Sequence, residues 1–225
     1  TAFSNVLKEL RGSDLYVNGE KFLVKGIIPS FGNSQTGLDM AQGLRQIKEV
    51  GGNAVRFYHG ANSRLLEQAR EAGLLVIDQP DRSTWGEMEL GSSFHTNLYL
   101  KRYENLVKEH EGEPYILWDG LGNEWELGSN QRPGQAVTLV NDTLKTAISR
   151  ADNPLSSYST YFTFIKYPVD VSGINMLDTG ATYWDKALKM VRQTGRPFYA
   201  SEFGGFVAFW EKTDPEIRMY RLQQE

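Results

Sequence analysis

Two glutamates stand where apolar runs give out. Glu124 closes the stretch Ile116-Leu117-Trp118-Asp119-Gly120-Leu121-Gly122-Asn123-Glu124, and Glu202 lies in Pro197-Phe198-Tyr199-Ala200-Ser201-Glu202-Phe203-Gly204. A charge at the end of an apolar strand needs a reason, because acidic side chains are seldom buried without one. A parallel barrel supplies the reason, since it carries its reactive groups at the C-terminal ends of its strands. Two carboxyl groups facing each other across a cleft can act as proton donor and nucleophile, the pair that cleavage of a glycosidic bond requires. The pattern predicts that chemistry only if the chain brings positions 124 and 202 to one rim.

The elements that must do so are legible as a rhythm. Residues 15–24 read as a β-hairpin turning at Asn18-Gly19, the dipeptide best suited to a type I′ turn. Its second arm is expected to run on through Lys25-Gly26-Ile27-Ile28 as the first strand of the barrel. Helices near 38–50, 62–72, 97–110, 134–151 and 183–194 then alternate with apolar strands at Asn53–Tyr58, Leu74–Asp78, Tyr115–Leu121, Leu155–Thr160 and Pro197–Ser201. A sixth strand, Asp170–Met176, follows the fifth without a clear helix. Such alternation predicts an α/β fold, a parallel sheet covered by helices. Glycines after helices, as at Gly51-Gly52, Gly73 and Gly195, are the expected stop signals.

This count reaches seven strands. Thr213-Asp214-Pro215-Glu216 has the capping-box pattern of a helix start, which leaves no sequence for an eighth strand and helix. Phe206–Trp210 is apolar but follows strand seven too closely, because a parallel neighbour needs a crossover of a dozen or more residues. The expectation is a single (β/α)8 TIM-type barrel domain over 1–225 that lacks its eighth strand. Its open seam would be closed by a further segment or by a neighbouring chain, since unpaired edges are sticky.

Bulk properties narrow the function. The 225 residues are 40% hydrophobic, enough for one core. A net charge of −4 without a basic run argues against nucleic acid as a partner. The absence of cysteine rules out disulfides and a thiol nucleophile and leaves the compartment unknown. Three histidines with no close pair argue against a zinc centre, and no cofactor is implied. The chain begins at Thr1 rather than Met, as a mature form or an excised domain would. Aromatic residues make up 12% of it, and sugar clefts use such rings as stacking surfaces.

These residues resemble a known family. Trp118 followed by Leu121-Gly122-Asn123-Glu124, with Ser201-Glu202-Phe203-Gly204 downstream, is similar to the retaining glycoside hydrolases of the clan A (β/α)8 superfamily, closest to the catalytic barrel of glycoside hydrolase family 2. Gly51-Gly52-Asn53-Ala54-Val55-Arg56, Glu67–Val76 and Asn18–Gly26 resemble the same barrel, so the likeness covers roughly 15 to 225. It implies Glu124 as acid/base, Glu202 as nucleophile, and Asn123 as the partner of the sugar 2-hydroxyl. It further implies Arg56 as a cation beside the nucleophile and His59 as a substrate contact. The family's tyrosine at the end of strand six has no counterpart in Asn175-Met176-Leu177-Asp178, where Tyr183 or Tyr161 could substitute. Trp125 and Trp184 are candidate walls of the sugar site, with Trp85 and Trp210 as alternatives and Trp118 as core. Glu126 and Asp119 read as rim or supporting groups, and the Asn141-Asp142-Thr143 sequon falls in a helix.

The resemblance implies hydrolysis of β-glycosidic bonds in an oligo- or polysaccharide by double displacement. A transglycosylase would use the same two glutamates with a sugar in place of water. A non-catalytic carbohydrate-binding barrel is the reading from a different class.

Overall fold

The computed structural model of the chain describes residues 6–29, 39–81, 83, 88–127, 129–151, 155–160, 167–176, 185, 188–189, 192–193 and 195–203. The expectations that fall on Trp85, Tyr161, Tyr183, Trp184, Phe206–Trp210 and the helix from Thr213 lie outside these residues.

The N-terminal strands β1 (Lys8–Arg11), β2 (Asp14–Val17) and β3 (Glu20–Lys21) form an antiparallel sheet in the order β1-β2-β3. The link between β2 and β3 is Asn18-Gly19, at φ 54° and 82°. Two successive positive φ values are what the type I′ turn demands, and Asn and Gly tolerate them best. The sequence reading carried the second arm straight into the barrel, and the structure corrects this. β3 ends at Lys21, and β4 (Gly26–Ile27) belongs to a different sheet. The side chain of Asn53 interrupts the strand, accepting from Lys25 N at 2.7 Å and donating to Leu23 O at 2.8 Å.

Among the described residues the second sheet has seven strands, all parallel, in the order β10-β9-β8-β7-β6-β5-β4. After β4 these are β5 (Ala54–Phe57), β6 (Leu75–Asp78), β7 (Ile116–Asn123), β8 (Ser156–Thr160), β9 (Val171–Met176) and β10 (Phe198–Phe203). Helices α1 (Met40–Glu49), α2 (Ser63–Glu71), α3 (Ser93–His110) and α4 (Pro133–Ala151) connect them where the alternation placed helices. Asn62 caps α2 by accepting from Leu65 N at 2.9 Å, and Ser92 starts α3 earlier than the apolar periodicity suggested.

The sheet curls. Neighbouring strands lie ~4.8 Å apart, so the five steps from β10 to β5 would span about 24 Å in a flat sheet. Arg56 on β5 nevertheless donates to the Ser201 carbonyl of β10 at 3.1 Å. Only a half-barrel folded toward closure allows that contact. Inside the curl sit Ala54, Leu75, Ile77, Leu117, Trp118 and Val171, and Leu15 of β2 joins them. The antiparallel sheet therefore packs at the N-terminal end of the strands, where Lys8 also reaches the Ile116 carbonyl. That leaves the opposite rim for chemistry. Outside the curl, one apolar cluster packs α1 and α2 on β5 and β6, and another packs α3 and α4 on β7 and β8.

β4 and β10 bound the seven-stranded sheet, and among the described residues they do not pair with each other. Among the described residues no helix is long and apolar enough to cross a membrane.

Candidate active site

Glu124 follows directly on the end of β7, as the sequence suggested, but its backbone is unusual. It has φ 53°, the left-handed region that non-glycine residues avoid. Its amide donates to the Ser159 carbonyl of β8 at 2.9 Å. The next residues lock the turn. Trp125 N donates to the Tyr158 hydroxyl at 2.9 Å, and that hydroxyl donates to Glu126 at 2.5 Å. Thr160 also donates to Glu126. Glu126 is thus the buried anchor of the loop that carries Glu124.

Glu202 arrives differently. The sequence reading ended strand seven at Ser201, whereas β10 runs to Phe203 with Glu202 inside it. A register shift sets Ala200 opposite Ile174 and Glu202 opposite Asn175, leaving Ser201 as the extra residue. A bulge of this kind re-aims the following side chain. Here it turns Glu202 toward the rim, with Ser201 Oγ donating to Asn175 Oδ1 at 2.7 Å.

Arg56 and Asn175 tie the rim together. From β5, Arg56 donates to the Asn123 side-chain oxygen at 3.1 Å and to Gln79 Oε1 at 3.2 Å, and its Nη1 lies 3.8 Å from Glu202 Oε1. The guanidinium sits over the Tyr58 ring, 4.5 Å from its centroid. A planar cation held by so many acceptors is fixed in place, as arginine's fork permits. Asn175 Nδ2 lies 2.8 Å from Glu124 Oε1, 2.9 Å from Glu202 Oε1 and 3.0 Å from Asn123 Oδ1. One amide therefore donates to both carboxylates.

Burial raises the pKa of Glu124 above the usual carboxylate range. The Asn175 hydrogen bond and Arg56 oppose the rise, while the charges of Glu202 and Glu126 add to it. Burial also pushes the Tyr58 phenol up; Arg56 opposes this, and Glu202, to which the hydroxyl bonds, adds to it.

The structure thus brings together Glu124, Glu202, Asn123 and Arg56. His59 lies on the same rim, exposed after β5, with its ring 6.3 Å from that of Tyr58. Tyr183 and Trp184 fall outside the described residues. Trp125 is a correction. Its indole is fully buried at 0% exposure, edge-on to Tyr99 and Tyr158, and donates to the Ser83 carbonyl at 2.7 Å. It is core beneath the acid-bearing loop and offers no face to a sugar. Sequence reasoning passed over Asn175 except as the place of an absent tyrosine, and over Tyr58 and Gln79 altogether. The only available signal was their place at the ends of apolar strands. Among the described residues no group of three or more His, Asp or Glu is arranged to hold a metal ion.

No family model matches the chain. It is 29% identical over 138 residues to a β-galactosidase of Vibrio cholerae, a match covering 57% of this chain and 14% of that protein. It is 30% identical over 132 residues to a β-galactosidase of Vibrio vulnificus, covering 54% and 13%. Among solved structures, a GH2 β-galacturonidase from Eisenbergiella tayi bound to galacturonate aligns with a TM-score of 0.72 at 19% identity, covering 97% of this chain and 42% of that one. Bacteroides uniformis β-glucuronidase 2, covalently bound to cyclophellitol-6-carboxylate aziridine, aligns at 0.69 and 17%, covering 88% and 27%. These structural likenesses concern the fold, and the chain spans a small part of the curated relatives it matches.

Proposed function

We propose that this chain carries the catalytic centre of a retaining β-glycoside hydrolase, on a family 2 barrel of the clan A (β/α)8 type. Glu124, whose pKa is raised chiefly by its burial, gives its proton to the leaving oxygen. Glu202 attacks the anomeric carbon and forms a glycosyl ester. Water then attacks the same carbon, Glu124 takes its proton, and Glu202 leaves as a carboxylate. Arg56 steadies the nucleophile and Asn123 meets the 2-hydroxyl.

One observation carries this reading. A single amide nitrogen bonds both carboxylates, Glu124 Oε1 at 2.8 Å and Glu202 Oε1 at 2.9 Å, so the two groups face each other at the close range that a direct attack by one of them, the retaining arrangement, needs. The named relatives lend support of a coarser kind, and the covalently modified β-glucuronidase is a precedent for an attacking group on this fold. The substrate is proposed to be an oligo- or polysaccharide with a β-linked sugar at the cleft, contacted by His59 and by Tyr183 and Trp184. Closure of the seam between β4 and β10 by a further segment or a neighbouring chain belongs to the same proposal.

The test is a screen of aryl β-galactosides, β-glucuronides and β-galacturonides, followed by two variants. Glu202→Ala should lose at least about 10³-fold in kcat. Glu124→Ala should be slow with water and accelerated by azide, which needs no base, yielding a β-glycosyl azide. An α-configured azide product, or a Glu202→Ala protein with parental rate, would overturn the assignment.

A further inference from the structure

A third carboxyl group lies under the rim. Glu126 is buried, and two hydroxyl groups from β8 donate to it, that of Tyr158 at 2.5 Å and that of Thr160. A carboxyl group that accepts on both oxygens is in the acceptor-only form, the carboxylate. Among the described residues no lysine or arginine forms an ion pair with it. Buried charges are normally paired, because hydroxyl groups alone offset only part of the lost hydration. Glu126 is therefore a costly choice if its task is only to anchor a loop. A glutamine there could still accept from a hydroxyl group; what the carboxylate adds is charge. That charge is felt nearby: after burial it is the largest influence pushing up the phenols of Tyr158 and Tyr167.

We propose that Glu126 is a positioning residue that tunes the acid: its hydroxyl bonds hold the turn that carries Glu124, and its buried negative charge opposes a second one on Glu124, extending upward the pH range in which Glu124 can give a proton. This rests on the reading of Glu124 as the acid. The two carboxyl groups leave one turn over one strand. Glu124 N donates to the Ser159 carbonyl of β8, and Glu126 is held by Tyr158 and Thr160 on either side of that residue. Residues two apart have Cα atoms no more than about 7 Å from each other. Trp125 and Tyr158, at 0% and 1% exposure, exclude water around them, so the repulsion is weakly screened. Of the groups facing Glu124, Asn175 from β9 and Arg56 from β5 favour its anion, while Glu202 from β10 and Glu126 from its own turn oppose it. Glu202 is committed to the attack on the sugar. Glu126, beneath the turn, serves as a fixed charge. Neutralising it lets Glu124 ionise at lower pH, because a like charge disfavours the ionised form.

The experiment uses the intact protein and two β-glycosides of the sugar that it turns over: a phenyl glycoside, whose leaving group needs an acid, and a 2,4-dinitrophenyl glycoside, whose leaving group does not. Glu126→Gln keeps the shape and removes the charge. The alkaline limb of kcat/KM for the phenyl glycoside should move down by about one pH unit, while kcat/KM for the dinitrophenyl glycoside stays within about threefold of the parent. A purely structural anchor would lower both substrates together and leave the limb in place. That result, or an unmoved limb at any rate, overturns the proposal. Thr160→Val decides the matter if Glu126→Gln does not fold. It strips one hydroxyl group from Glu126 and leaves the charge less compensated, so the limb should move up by roughly 0.3 of a pH unit, and a limb that stays or moves down overturns the tuning. Glu124→Ala separates the two ideas. A loss of about 10²-fold or more on the phenyl glycoside with little on the dinitrophenyl one makes Glu124 the acid, and unmoved limbs then sink the tuning alone. A loss on neither, or equally on both, sinks the reading of Glu124 and the tuning with it.

Discussion

Glu124 combines two costs at one residue: a buried carboxyl group and a left-handed backbone. A non-glycine residue held in that region stores roughly 1–3 kcal/mol, and such strain persists only where surrounding bonds over-determine it. Here the constraints are its own amide on Ser159, the Trp125 amide on Tyr158, and Glu126 below. Glu124→Gly should consequently be at least as stable as the parent in chemical denaturation, since glycine adopts this φ freely and no carboxyl group is left buried. Its activity should be lost. A Glu124→Gly protein more than about 1 kcal/mol less stable than the parent would mean that the backbone at 124 is not strained.

At the scale of elements, the exit of β7 does the placing. Gly122 lies directly under the Trp125 indole, so that a Cβ at 122 would run into the ring. The ring cannot yield easily, because Tyr99, Tyr158 and the Ser83 carbonyl hold it from other sides. Gly122→Ala should therefore cost about 1–3 kcal/mol, the usual range for overpacking a filled core. It should also lower kcat more than it changes KM, because the displaced turn carries Glu124 together with Asn123, whose proposed bond to the 2-hydroxyl strengthens in the transition state. Denaturation midpoints and steady-state kinetics would check both, and an alanine variant with parental stability would remove the indole from its supporting role. The bulge in β10 plays the corresponding part for Glu202, spending one extra residue to turn a side chain.

Across the whole molecule, α3 is pinned to the sheet by a buried charged group. His110 at its C-terminal end lies 2.5 Å from Asp119 of β7 and 3.4 Å from Asp78 of β6. Burial alone would lower the pKa of the imidazole, but the two aspartates overcome it and raise the value to about 9. A histidine with a raised folded pKa contributes stability that is complete below its unfolded value near 6.5 and is lost as pH rises through 9. Unfolding free energy should thus fall by an amount on the order of 2–3 kcal/mol between pH 6.5 and 9.5 from this group. An imidazole that titrates near 6.5 by NMR in the folded protein would refute it.

The family resemblance supplied Arg56 and Asn123, while the residues alone made legible the alternation, the Asn18-Gly19 turn, most of the described strand and helix positions, and Glu124 and Glu202 near strand exits. Each of the latter rests on local chemistry: apolar periodicity, turn preference, or a polar group where an apolar strand ends. Packing across the fold settled the rest: Trp125 is core, Glu202 stands in a strand behind a bulge, and Asn175 joins both carboxylates. Those facts depend on residues tens of positions apart, such as Glu124 and Asn175, meeting because a sheet curls and its helices pack on it. No window of sequence encodes the curvature of a sheet, because curvature is fixed by how all the strands and their covering helices pack together.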